Sequence, residues 1–262
     1  MERIKIFQVD AFTNNLFSGN PAAVCLLDNW LPDKVMQSIA LENNLSETAF
    51  LIKKNDKFFL RWFTPKVEID LCGHATVASA AHLYNKMGIK KITFRANHDF
   101  LYCDVDHESV SLIMPDQNIV KKEPNPAIKS ILGTSCIDYY ESKIHFIGVL
   151  DSFDSLIKWN NDFFSQDNLG KDQLILTSRH SSNNYDYALR MFGTKNLGVI
   201  EDPVTGSAQP PIFSYWSQVL NKDDLLVHQS SERGGLMRVK RDLRGIEVNG
   251  KVKLVKHFTQ EI

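Results

Sequence analysis

The chain has 262 residues, enough for one large domain or two of ordinary size, with ample core in either case. Its formal net charge of -1 gives it no global pull towards nucleic acid or an anionic membrane. Hydrophobic residues make up 43% of it, which excludes a largely disordered chain.

The first residues read at once as a strand, without a basic-then-apolar leader, and no apolar run approaches membrane-spanning length. The four cysteines, Cys25, Cys72, Cys103 and Cys136, are widely spaced and form no CxxC pair. Reduced thiols in a cytoplasmic protein are therefore expected, and a structural zinc site is not.

In chain order, Ile4 to Val9 predicts a first strand, Asp10 to Pro21 a loop, and Ala22 to Leu27 a buried extended run. Pro32-Asp33 opens a helix with Val35, Met36, Ile39 and Ala40 on one face, ending near Asn43-Asn44. Strands follow at Ala49–Lys53 and Lys57–Phe63. The segment Ala75–Tyr84 is apolar almost all round, the pattern of a buried helix. Gly88 ends it, and strands are expected at Lys91–Phe94, Phe100–Val105 and Val110–Met114, wrapped round that helix. Pro115 to Pro126, with its prolines and Lys121-Lys122, reads as an interdomain linker. It divides a first half, 1–117, from a second, 118–262. The second half predicts strands at Ile144–Val149, Leu174–Thr177 and Tyr185–Met191, a helix over Pro211–Leu220, and strands at Leu225–Gln229 and Leu236–Lys240. A closing hairpin is expected to turn at Asn249-Gly250.

Glu201-Asp202-Pro203-Val204-Thr205-Gly206-Ser207-Ala208 packs two acids, a bend and two hydroxyls in front of an apolar helix. Pro203 fixes φ, Gly206 permits a tight bend and Ser207 is a candidate N-cap. The helix start that follows favours anions. Glu68-Ile69-Asp70-Leu71-Cys72-Gly73-His74-Ala75-Thr76 echoes this unit upstream. One acidic turn feeding one helix in each half suggests an ancestral duplication, with the two helix starts expected to face one cleft.

Glu47, among Ser46, Thr48 and apolar neighbours, reads as a shielded acid/base with a raised pKa, or as a solvated loop or capping acid. Asp202 binds a substrate ammonium or shares a proton, or else bonds its own backbone in the turn. His74 donates to a substrate oxygen, preferably as neutral imidazole at a helix start, or caps the helix. Cys72 is a thiolate base or a small buried apolar residue. Ser207 and the Gly206 turn hold a carboxylate through hydroxyl and backbone N–H groups, or form a plain cap. His180-Ser181-Ser182 and Arg233-Gly234-Gly235 read as surface loops. No GxGxxG, P-loop or GxSxG occurs, and the remaining histidines lack metal spacing, so neither cofactor nor metal is expected.

Several blocks together resemble the phenazine biosynthesis isomerase-like (PhzF-like) family. They are Val9-Asp10-Ala11-Phe12 with Gly19-Asn20-Pro21-Ala22, Asn44 to Phe50, Arg61-Trp62-Phe63-Thr64-Pro65, Asp70 to Thr76, Glu201 to Ala208, and Gln229 to Gly235. The resemblance implies an α+β, diaminopimelate epimerase-like fold. In it, two pseudo-symmetric halves each curl a mostly antiparallel sheet around a central helix, with the site between them. It further implies a cofactor-independent isomerase or epimerase of a small carboxylate-bearing metabolite, often a homodimer. Glu47 would then be the catalytic acid/base, and His74, Asp202 and Ser207, with the bends at Gly73 and Gly206, would bind substrate. The sequence departs from relatives after Ala208, where they usually continue with histidine and here Gln209-Pro210-Pro211 follow. Two prolines alter the N–H groups of the first helical turn. This motivates a rival reading, a catalytically silent binding protein, beside a thiol racemase built on Cys72.

Overall fold

A computed structural model describes residues 3–55, 57–96 and 100–262. Two compact units emerge, one of Met1–Met114 with Glu247–Ile262, the other of Pro115–Ile246. The first runs β1 (Arg3–Ala11), β2 (Asn20–Leu27), α1 (Asp33–Asn43), β3 (Glu47–Lys54), β4 (Lys57–Phe63), β5 (Glu68–Ile69), α2 (Gly73–Met87), β6 (Lys91–Arg95), β7 (Phe100–Asp106) and β8 (Ser109–Met114). β1 pairs antiparallel with β2, β2 parallel with β3, β3 antiparallel with β4, and β4 parallel with β6. β6–β7 and β7–β8 are antiparallel. Every residue of α2 from Gly73 to Leu83 is buried, and the helix packs on β1, β2, β3, β7 and β8. α1 covers another face, where Met36, Ile39 and Ala40 join Ile6, Ala23, Cys25, Phe50 and Phe63. β2 therefore lies between two apolar layers, which is why it reads as a continuous apolar run. β7, buried only at alternate residues, has one wet face.

The second unit runs β9 (Val120–Lys121), α3 (Pro126–Leu132), β10 (Cys136–Glu141), β11 (His145–Leu150), α4 (Phe153–Lys158), β12 (Gln173–Arg179), β13 (Tyr187–Gly193), β14 (Glu201–Asp202), α5 (Gln209–Leu220), β15 (Asp224–Gln229) and β16 (Gly235–Asp242). Its pairings repeat those of the first unit in the same succession. β10–β11 is antiparallel, β11–β12 parallel, β12–β13 and β13–β14 antiparallel, β13–β15 parallel and β15–β16 antiparallel. The duplication suggested by two short motifs thus extends to the whole topology.

The final strand, β17 (Gly245–Glu261), begins in the second unit and ends in the first. There it pairs with β1 and with β8, closing the first unit's strands into a ring around α2.

Three expectations are corrected, and one strand is added. The division between units falls at Met114/Pro115 rather than at 117/118, and residues from Glu247 return to the first unit because β17 completes its ring. Asn249-Gly250 does not turn, since the turn lies at Leu243–Arg244 and both residues sit within β17. Gly250 is required by crowding: a Cβ there would come within 2.4 Å of the Phe12 ring. The loop expected from Asp10 to Pro21 is shorter, because β1 runs to Ala11 and β2 starts at Asn20. β10 was not anticipated; its polar Asp138 and Glu141 mask the strand pattern.

Candidate active site

In the first unit, three elements bring distant residues together. Asn20 begins β2, Glu47 begins the adjacent parallel β3, and Cys72 and His74 lie at the N-terminus of α2. Glu47 is 9% exposed, Cys72 5% and His74 3%, so the solvated-loop reading of Glu47 fails. Glu47 Oε2 stands 3.0 Å from His74 Nε2. Beyond that contact this buried oxygen has no partner among the described residues, which leaves it with acceptor capacity. On the other side of the ring, Nδ1 is 3.1 Å from Asn20 Nδ2 and 3.4 Å from Cys72 Sγ. Either end of an asparagine amide can face that nitrogen, donating to it bare or accepting from it protonated.

Burial alone would push the His74 imidazole towards neutrality. The neighbouring Cys72 sulfur and Glu47 carboxylate outweigh it, so His74 holds its proton well above the ordinary histidine range. The adjacent carboxylate thus opposes the neutral form that the helix start favours. His74 is not a cap either, since Cys72 occupies the N-cap position and makes no side-chain capping bond. The Cys72 thiol is pushed up to about 11, chiefly by burial and further by Glu47. A thiol so held is protonated near neutrality, which removes the basis for a thiolate base there.

In the second unit, the eight-residue block folds as β14, a bend and a 3-10 turn over Gly206–Ala208 leading directly into α5. Glu201 is committed to Arg190, whose Nε and Nη2 donate to its two carboxylate oxygens at 2.8 and 2.9 Å. Neighbouring strand residues face opposite ways. Asp202, next in the strand, accepts from Thr205 Oγ1 at 2.5 Å. Ser207 is inside the 3-10 turn rather than an N-cap; the caps are Thr205 and Ala208, and neither uses its side chain. Pro210 and Pro211 occupy the opening turn of α5, where orphan N–H groups make proline tolerable. They also remove two N–H donors, and the Gln209 N–H is spent on the Gly206 carbonyl, which confines those of this helix start to Gly206 through Ala208.

Two fully buried glutamines, unassigned from sequence, brace this turn. Gln229 accepts from Thr205 N at 2.8 Å and donates to the Asp202 carbonyl at 2.8 Å and to Thr205 Oγ1 at 3.1 Å. Gln209 accepts from the Tyr187 hydroxyl at 2.7 Å and donates to the Thr205 carbonyl at 3.2 Å. Ser231 Oγ adds a bond to the Pro203 carbonyl at 2.6 Å. Asn20, likewise given no role from sequence, lies in a block that carries the family resemblance and in a segment expected to be a loop. The signal that could have singled out the glutamines is chemical, since a polar side chain in an apolar run must find partners inside.

Comparison with known proteins places these features in a wider set. The family model described as phenazine biosynthesis-like protein (PhzC-PhzF) matches residues 9–257. An uncharacterized isomerase of Halalkalibacterium halodurans is 40% identical over 240 residues, covering 90% of each chain. The crystal structure of a PhzF-family protein of Enterococcus faecalis is similar with a TM-score of 0.91 at 35% identity, covering 100% of both chains. A hydroxyproline epimerase of Agrobacterium vitis shares the fold alone, with a TM-score of 0.64 at 8% identity over 98% of this chain and 92% of that one. The α+β, diaminopimelate epimerase-like fold expected from the sequence is the one found.

Proposed function

We propose that this chain, which belongs to the phenazine biosynthesis-like (PhzC-PhzF) family, is a cofactor-independent isomerase of a small carboxylate-bearing metabolite. The relative from Halalkalibacterium is named an isomerase, which supports the reaction class. The observation that carries the reading is the enclosed Glu47–His74 contact at 3.0 Å, with one carboxylate oxygen unfilled. Glu47 takes a proton from a carbon beside the substrate's electron-withdrawing group. The electron pair left by the C–H bond delocalises into that group, and Glu47 returns the proton to a neighbouring carbon. His74, protonated or sharing its proton with Glu47, offsets the developing negative charge. Gly73, the first residue of α2, is followed directly by His74 at the helix start.

The second-unit residues enter this proposal as binding groups. Asp202 suits an ammonium, while Ser207 and the backbone N–H groups from Gly206 onward suit a carboxylate. The bracing by Gln209 and Gln229 supports a turn kept rigid for such a task. Four free cysteines among the described residues agree with a cytoplasmic setting. A homodimer is part of the proposal by family resemblance, and sedimentation in solution tests it.

The deciding experiment follows solvent deuterium into substrate during turnover, using a panel of cyclic and amino-acid carboxylates. Glu47→Gln should slow incorporation by about 10²–10⁴-fold. Normal exchange by that variant removes the assignment.

A further inference from the structure

We propose that Glu47, Cys72 and His74 together form a binding site for one borderline-soft divalent cation of the Zn2+ class, and that its occupation blocks proton transfer. The sequence gives no hint of it, because Glu47 lies far from the Cys72-Gly73-His74 turn along the chain. Folding brings one carboxylate oxygen, one sulfur and one imidazole nitrogen within 4.8 Å of one another, all three residues buried. This donor set is the one that zinc-like ions select over magnesium or calcium.

The separations are close to what coordination needs. Bonds of about 2.0–2.3 Å in tetrahedral arrangement put donor atoms roughly 3.4–3.7 Å apart. Glu47 Oε2 and His74 Nε2 are 3.0 Å apart, and Cys72 Sγ and Nε2 are 4.0 Å apart. These two pairs lie within about half an ångström of that spacing, and the third, Cys72 Sγ to the Glu47 carboxylate, lies within 4.8 Å, so rotamer adjustment of Cys72 or Glu47 completes the set. Glu47 Oε2, in a residue 9% exposed, faces only His74 Nε2 among the described residues and keeps lone-pair capacity that a cation can fill. Asn20 supplies the outer contact: with its amide oxygen turned to Nδ1 it fixes the imidazole tautomer that ligates through Nε2.

Charge also balances. Binding releases the thiol proton of Cys72 and the Nε2 proton of His74 to solvent. A thiolate and a carboxylate then neutralise the dication, so no net charge is left buried. The fourth position stays open to water. Inhibition rests on the catalytic reading of Glu47, because the metal occupies the oxygen that would accept the substrate proton; binding itself does not rest on it.

The test uses reduced, chelator-treated full-length protein and Co2+ as a spectroscopic probe, with no substrate present. One Co2+ per chain should bind, giving a thiolate-to-metal charge-transfer band that Zn2+ displaces. Cys72→Ser should lose the band, while Cys136→Ser keeps it. Glu47→Gln should retain the band at affinity at least about tenfold weaker, and Asn20→Ala should weaken binding about 10–100-fold. Circular dichroism establishes that each variant is folded. A folded wild-type protein without the band, or a band that survives in Cys72→Ser, overturns the site. Deuterium exchange measured separately with and without Zn2+ tests inhibition, so a failed catalytic assignment and a failed metal site give different results.

Discussion

Arg61 and Arg190 occupy the same position in two topologically parallel units. Each stands two residues before a phenylalanine that pairs with the glutamate it grips: Phe63 opposite Glu68, and Phe192 opposite Glu201. Each grips that glutamate bidentately, at 2.6 Å for both Arg61 bonds. Each guanidinium also lies over its phenylalanine, at 5.2 and 4.7 Å from the ring centroid. The pairs anchor the short strands β5 and β14, which lead towards the starts of α2 and of the 3-10 turn before α5.

Arg190 additionally donates to the carbonyls of Leu156 and Trp159 at the end of α4, and its side chain is 15% exposed. Arg190→Met should therefore destabilise the protein by about 3 kcal/mol in urea unfolding, because it strands an enclosed carboxylate. The double variant Arg190→Met/Glu201→Met should recover more than half of that loss. A single variant within about 1 kcal/mol of the parent contradicts the anchoring role.

Crowding at the last strand gives a second expectation. Gly250→Ala places a methyl 2.4 Å from the Phe12 ring and 3.2 Å from its Cα. Phe12 is fully buried with φ of 63°, so it has little room to yield. A loss of about 1–3 kcal/mol is expected from thermal or urea unfolding. A variant within about 0.5 kcal/mol of the parent contradicts the crowding.

His145 sets an acid limit on the second unit. Fully buried, with Nδ1 2.9 Å from Ser142 Oγ, it is held down at about 4 by burial, which a bond with Gln173 only partly opposes. The unfolded chain takes up its proton near the ordinary value of about 6.5. Between these values the unfolded state binds more protons, so stability falls as pH drops from about 6.5 to about 4 and the effect levels off below. The slope from this group is at most about 1.4 kcal/mol per pH unit. His145→Gln should flatten the stability profile across that window, as read by urea midpoints at several pH values; an unchanged profile would assign the acid sensitivity elsewhere.

The cysteines should resist alkylation in the native state. Burial raises Cys25 and Cys103 far above the usual thiol range, and Cys72 and Cys136 to about 11. Mass spectrometry after iodoacetamide near neutral pH should show Cys136, the one that is only half-buried, modified first and the others only on unfolding. Rapid labelling of Cys72 in folded protein would restore the thiolate reading.

Much of the fold is written locally. The all-round apolar stretch before Gly88 specifies α2, and Asn44, with φ of 47°, ends α1 where the pattern stops. The site is legible only in part, because its parts are chosen by partners remote in sequence. Nothing beside Glu47 reveals His74, and nothing beside Asp202 reveals Gln229. The repeated Leu60-Arg61-Trp62-Phe63 and Leu189-Arg190-Met191-Phe192 would have extended the suspected duplication. They go unnoticed because arginine within a strand reads as a solvent-facing residue until its glutamate is located. Asn249-Gly250 misleads for the converse reason: a glycine needed for close approach looks like one needed for a bend.

The path of β17 bears on how the polypeptide is made. Its last residues lie beside Arg3 to Ala11, the earliest described strand. During translation, therefore, the ring of the first unit stays open until β17 has emerged from the ribosome, long after its other strands. Deleting the final dozen residues should expose β1 as an unprotected edge and send the product towards aggregation.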